Sequence, residues 1–196
     1  MPEERLKRQL EFVLEIDRLK AVVRQSHLIG ADRRENSAEH CWHVAVMAFV
    51  LSEHANEPID AARCAKMLLV HDIVEIDAGD VYRYDVEARA ERTDREERAA
   101  ERIYGLLPDE QPGELRRLWQ EFEHGDSPEA RFARALDRLM PLLHNYHTEG
   151  RSWKEHGVSS REVLQSNEVM AEGSEGLWEY ARSLIKDAVR RGYLEE

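Results

Sequence analysis

Apolar residues recur every three or four positions along most of the chain, and no convincing alternating run of strand length appears. The pattern predicts an all-α protein. A first helix runs from about Pro2 to Val23, with Leu10, Val13, Leu14 and Ile16 as its core positions. Arg24 follows, ahead of a turn-rich stretch from Ser26 to Arg34 around Gly30. Asn36 with Glu39 three residues later reads as a capping box. A second helix starts there and carries Val44, Val46, Met47, Val50 and Leu51 into the core. Glu57-Pro58 breaks the chain, and Asp60 caps a third helix through Cys64, Met67, Leu68 and Val70. Asp77 to Asp85 reads as an acidic loop that turns at Gly79, where Tyr82, Tyr84 and the aspartates are candidates to line a pocket.

Mixed charges from Glu87 to Glu101 predict a solvated helix, and Pro108 and Pro112-Gly113 punctuate the turn before a helix with Leu115, Leu118, Trp119 and Phe122. Ser127-Pro128-Glu129 starts a long helix. Pro141 cannot donate to the carbonyl of Asp137, so a kink is expected there. Ser160 and Ser174 are the expected caps of two last helices, and Gly192 ends the second. No repeat, low-complexity tract or long linker divides the chain, so residues 1–196 read as one domain.

Composition narrows the partners. With 42% hydrophobic and 35% charged residues the chain is of the soluble globular type. A formal net charge of −12 argues against a nucleic-acid backbone or an anionic membrane as main partner. No apolar run approaches the roughly 20 residues that span a bilayer, and Met1 to Arg5 is charged rather than signal-like. Cys41 and Cys64 form neither a disulfide framework nor a Cys-x-x-Cys pair, which suits a reducing cytoplasm. A small phosphate ester stays compatible with the acidic balance, because a metal and a few arginines make a local positive site.

Candidate chemistry centres on His71-Asp72 at the end of the apolar third helix, with Glu75 one turn on. A pair of polar groups arriving at a core edge needs partners, and a cation is one. His40 falls in the first turn of the second helix, where the helix N-terminus favours a neutral imidazole. His43, three residues later, reads as a hydrogen-bonded boundary histidine or a support to the ligands. Asp137 stands inside an apolar helix face and calls for Arg134, Arg138 or a metal. His144, His147 and His156 have no assignable ligand partner, and Arg24 alone reads as a solvated charge at a helix end.

The ordered set His40, His71-Asp72, Asp137 resembles the HD-domain metal-dependent phosphohydrolases, whose signature is H…HD…D. Arg34-Glu35-Asn36-Ser37-Ala38-Glu39-His40, His71-Asp72-Ile73-Val74-Glu75-Ile76-Asp77-Ala78-Gly79-Asp80 and Ala135-Leu136-Asp137-Arg138 are similar to the 5′-deoxynucleotidase branch. Similarity runs from roughly Leu6 to Ile185. The resemblance implies a single-domain helical bundle holding one divalent ion (Mn²⁺, Co²⁺, Fe²⁺ or Zn²⁺) through His40, His71, Asp72 and Asp137. It further implies Glu75 as base or water-orienter, Asp80 as proton shuttle, and Arg24 as phosphate ligand, with Arg33 or Arg34 assisting. The implied substrate is a small phosphorylated molecule, a nucleoside 5′-monophosphate first, and the implied assembly is a homodimer. Another small phosphate or triphosphate substrate, or a non-catalytic binding module, are the alternatives. The branch carries a tryptophan near its arginine that excludes the ribose 2′-hydroxyl. Here Gln25-Ser26-His27 follows Arg24, so the resemblance does not fix the sugar.

Overall fold

Helices dominate the fold: a computed structural model describes residues 2–80, 92–108 and 111–196 and is mostly helical over them. In chain order the helices are α1 (Pro2–Glu15), α2 (Ser37–Leu51), α3 (Ala61–Val70), the single turn α4 (Glu75–Ala78), α5 (Arg92–Tyr104) and α6 (Gln111–His124). The long α7 (Pro128–His147) follows, then α8 (Arg151–His156), α9 (Ser160–Asn167), α10 (Met170–Gly173) and α11 (Glu175–Arg190). Tyr82, Tyr84, Asp85 and the start of the charged segment at Glu87 lie outside the described residues. Among the described residues no helix is long and apolar enough to cross a membrane.

The caps do what the side chains predict. The Asn36 carboxamide oxygen accepts from the Glu39 amide at 3.0 Å, and the Glu39 carboxylate accepts from the Asn36 amide at 3.2 Å, closing the box that starts α2. Asp60 caps α3, Ser127 caps α7 and Ser174 caps α11. The cap of α9 is Ser159, not Ser160, because only Ser159 has Glu162 three residues on to complete a second capping box. Pro112 does not precede its helix but sits in the first turn of α6, where a missing N–H costs nothing. α7 runs unbroken through Pro141.

Other expectations fail. The first helix ends at Glu15 and gives way to a 3-10 turn over Ile16–Ala21. Val23–His27 is then a strand, β1, paired antiparallel with β2 (Arg34–Asn36). Five and three residues are too short for an alternating pattern to stand out, which is why this stretch reads as turn alone. Leu10, Val13 and Leu14 are exposed, and Phe12 and Leu19 are the buried apolar residues there. Val46 and Val50 of α2 are likewise exposed, beside Trp42 and Phe49. Periodicity identifies an apolar face but not whether the same chain covers it.

The core is organised on α7, whose Phe132, Ala133, Leu136, Leu139 and Leu142 are buried against α2, α3, α6 and α11. Gly173 of α10 lets two backbones meet: a Cβ there would lie 2.2 Å from the Arg131 carbonyl oxygen. Tyr104 of α5 donates to the Val70 carbonyl at 3.0 Å, fastening the end of α3. That end is where the polar residues collect.

Candidate metal centre

α3 stops at Val70, and residues 71–74 form a turn before α4 starts at Glu75. His71 and Asp72 therefore leave the helix while still buried. His71 Nδ1 lies 2.8 Å from the Leu68 carbonyl oxygen, an acceptor, so that nitrogen carries the hydrogen. Its Nε2 then faces Asp72 Oδ1 at 3.0 Å and Asp137 Oδ1 at 3.6 Å. A lone pair pointing at two carboxylates is repulsive unless a proton or a cation joins them. Burial opposes protonation, but Asp72, Cys41 and Asp137 together outweigh it and raise His71 well above the ordinary histidine range. The Phe122 ring packs 4.6 Å from the imidazole and forms an apolar wall.

The first turn of α2 supplies His40, fully buried, with Nε2 3.0 Å from Asp137 Oδ1. His40 and His71 tilt toward each other with ring centroids 5.5 Å apart. His40, His71 and Asp72 each bring a ligand atom within 4.8 Å of the others, and Asp137 touches both histidines. Burial raises Asp137, but contacts from His40 and His71 hold it well below the usual carboxylate range. Arg134 does not pair with it; that guanidinium donates to the Phe122 and Gly125 carbonyls. Two imidazoles and two carboxylates, buried and short of donors, are a donor set that fits a divalent cation.

Arg24 comes from β1, not from a helix end. Its Nη1 donates to Asp72 Oδ2 at 2.7 Å, and its Nε lies 3.6 Å from Glu35 Oε2. Burial works against its charge, but Asp72, Glu75, Asp80 and Asp137 outweigh it and keep the guanidinium charged. Glu75 is buried and accepts from the Ser37 hydroxyl at 2.7 Å. Burial first, then Asp72 and Asp80, push its carboxyl up to about 8 against the pull of Arg24 and Ser37. Asp80 follows Gly79, whose φ of 79° ends α4 and turns the chain back toward Glu75 and Arg24.

Arg33 and Arg34 sit apart from this cluster. Arg33 forms a bidentate pair with Glu39 at 2.6 and 2.8 Å on the surface. Arg34 donates to Gln25 at 2.7 Å and to Glu155 at 3.1 Å. Three residues that the sequence reading left without a role join the site: Ser37, Glu35 and His144. Glu35 is 1% exposed and points its Oε2 at His40 Nδ1, 3.5 Å away, and at His144 Nδ1, 3.8 Å away. The capping box drew attention to Asn36 and Glu39, and without β2 nothing marked Glu35 as facing inward.

Comparison with known proteins agrees with the geometry. A family model described as HD domain matches residues 16–178. The chain is 34% identical to the human 5′-deoxynucleotidase HDDC2 over 135 residues, 68% of this chain and 65% of that protein. It is 35% identical to the Bos taurus protein of the same name, over 68% of this chain and 64% of the relative. The match thus spans just under two thirds of the length of these relatives. A crystal structure described as a predicted metal-dependent phosphohydrolase from Magnetospirillum magnetotacticum MS-1 is 52% identical, with a TM-score of 0.95 over 100% of this chain and 98% of that one. A conserved hypothetical protein from Pyrococcus furiosus shares the fold at 19% identity, with a TM-score of 0.61 over 92% of this chain and 99% of that one.

Proposed function

The chain belongs to the HD-domain family, and from that premise we propose that it is a metal-dependent phosphohydrolase releasing phosphate from nucleoside 5′-monophosphates. The names of its relatives and its likeness to the Magnetospirillum protein favour this class. The observation that carries it is the meeting of two carboxylates at His71 Nε2 with Nδ1 already spent on Leu68, a gathering that holds together only around a proton or a cation. One divalent ion held by His40, His71, Asp72 and Asp137 resolves that conflict, and the nitrogen–oxygen set suits Mn²⁺, Co²⁺, Fe²⁺ or Zn²⁺. When bound, such an ion acidifies a water and offsets charge developing on the phosphoryl group.

The chain's own residues do the rest. Arg24 binds and orients the phosphate, with Asp72 gripping Nη1 and so aiming the guanidinium. Water attacks phosphorus and the bond to the 5′-oxygen breaks. Glu75 takes the proton of the attacking water; burial, Asp72 and Asp80 raise its proton affinity, and a bound cation together with Arg24 and the Ser37 hydroxyl would offset that rise enough for it to stand ionised. Asp80, on the turn after Gly79, returns a proton to the leaving 5′-oxygen. Arg33 and Arg34 are assigned to the rim, since Glu39 and Glu155 already engage them. Gln25 stands where the resembling branch carries its tryptophan, but it is engaged by Arg34 and lies 3.3 Å from His156 Nε2, so no bulky ring there selects against ribose.

The same reading makes residues 1–196 one catalytic domain in a cytoplasmic homodimer. The free thiols Cys41 and Cys64 suit a reducing compartment. The exposed stripes Leu6, Leu10, Val13, Leu14 of α1 and Trp42, Val46, Phe49, Val50 of α2 suit a second copy as cover. The test is phosphate release from deoxy- and ribonucleoside mono- and triphosphates by chelator-stripped protein resupplied with Mn²⁺, Co²⁺ or Zn²⁺. Release from monophosphates of both sugars, lost in Asp72→Ala, is expected. No release from any monophosphate overturns the substrate assignment.

A further inference from the structure

We propose that Glu35, His43 and His144 form a second site for a divalent transition-metal ion, one helical turn along α2 from the centre described above. Three elements converge there. β2 delivers Glu35, α2 delivers His43 three residues past His40, and α7 delivers His144 two turns past Asp137. One ligand atom from each lies within 4.8 Å of the other two. Among the described residues, only this trio and the His40, His71, Asp72 group meet that condition.

The buried members are unsatisfied in the way a ligand set is. Glu35 is 1% and His144 3% exposed, and neither Glu35 Oε2 nor His144 Nδ1 has a hydrogen-bond partner. They stand 3.8 Å apart, too far for a hydrogen bond. Two nitrogen or oxygen ligands of one tetrahedral ion, each about 2.0 Å from it, stand about 3.3 Å apart. A simple ion pair buried this deeply would close to hydrogen-bond length, because an unmade bond costs about 1–3 kcal/mol there. An ion between them satisfies both atoms with a small inward movement. The His43 and His144 rings meet edge to face, with centroids 6.4 Å apart.

The neighbours of Glu35 are compatible with such an ion. Arg24 Nε and His40 Nδ1 approach the same oxygen at 3.6 and 3.5 Å, longer than a hydrogen bond, so they are charge neighbours that leave its lone pairs open to a cation. Glu35 thereby touches a ligand of the first centre and the ligands of the second. Two imidazoles and one carboxylate select a first-row transition ion over Mg²⁺ or Ca²⁺, which take oxygen ligands. Three protein ligands leave a position open, and half-buried His43 gives the side from which an ion enters. The inference depends on no phosphate chemistry, so it stands or falls apart from the function proposed above.

The test is zinc stoichiometry. Full-length protein is stripped with chelator, equilibrated with Zn²⁺ alone, freed of excess ion and assayed for metal by mass spectrometry. Two equivalents per chain are expected for the unaltered protein, and one for His43→Asn and for His144→Asn. Asp72→Ala keeps one, and Asp72→Ala combined with His43→Asn keeps none. His43 is half-buried, so His43→Asn is the gentler variant, and the equivalent it retains shows that the first centre is intact. One equivalent in the unaltered protein, two in His43→Asn, or loss of both from folded His43→Asn each overturn the second site. Asp72→Ala retaining two while His43→Asn retains one instead sinks the ligand set of the first centre and upholds the second.

Discussion

Glu75 is where the folded chain holds a charge it cannot afford alone, and Glu75→Gln exposes the cost. The carboxyl is buried, faces Asp72 and Asp80, and is pushed up to about 8 from an ordinary 4.5. Below the ordinary value the group is protonated whether the chain is folded or unfolded, and it contributes nothing to pH dependence. Between that value and about 8 the unfolded chain ionises while the folded one keeps its proton, so rising pH favours unfolding. Above about 8 the penalty is complete, on the order of 4–5 kcal/mol at 1.36 kcal/mol per pH of displacement. Glutamine carries no charge and keeps an oxygen for the Ser37 hydroxyl. Metal-free Glu75→Gln should therefore match the unaltered protein within about 1 kcal/mol near pH 5 and exceed it by several kcal/mol at pH 9. Urea unfolding of chelator-treated protein across that range measures the difference. A gap that does not widen with pH, or an unaltered protein more stable at pH 9, refutes the burial and repulsion argument. If Glu75 is the proton acceptor proposed above, the same variant should also lose phosphate release while gaining stability.

Other outcomes follow from backbone and charge. Gly150 has φ 74°, and an added Cβ would meet the Tyr193 carbonyl oxygen at 1.7 Å, whereas Gly157 at φ 61° has nothing within 4 Å. Gly150→Ala should cost about 3 kcal/mol or more and Gly157→Ala about 1 kcal/mol; equal melting temperatures for the two would remove the clash as the cause. Asn36→Ala breaks the capping box ahead of His40 and should cost about 1 kcal/mol, a fall of roughly 2–4 °C in a thermal melt. Arg24→Lys keeps the charge but loses the planar grip on Asp72 and on phosphate, so KM for the ester should rise about tenfold or more while the metal content is unchanged. An unaltered KM would take Arg24 out of the phosphate site.

What the chain reveals in one dimension depends on whether the signal is local. The capping box at Asn36, the Asp60 cap and the Ser127-Pro128 start are local hydrogen-bond chemistry and survive intact in the structure. The fold brings His40, His71, Asp72 and Asp137 into one cluster. Glu35 and His144 carried no role in one dimension because their significance is a separation of 3.8 Å across 109 positions of sequence, which the motif containing Glu35 does not reveal. Arg24 looked like a helix-end charge until β1 turned it inward toward Asp72. The apolar faces of α1 and α2 mark the opposite limit: Leu14 is 73% and Val50 65% exposed, although their spacing reads as core. Spacing encodes which side of a helix avoids water, and only the packing of the other helices decides whether that side is covered.

The central claim is that the buried cluster is a metal centre with a phosphate seat at Arg24. Anomalous diffraction from crystals equilibrated with Mn²⁺ and inorganic phosphate tests it most directly. The account predicts a manganese peak enclosed by His40, His71, Asp72 and Asp137, with a phosphate oxygen on the ion and another on Arg24. Phosphate bound elsewhere, or no peak within reach of those four side chains, would contradict it.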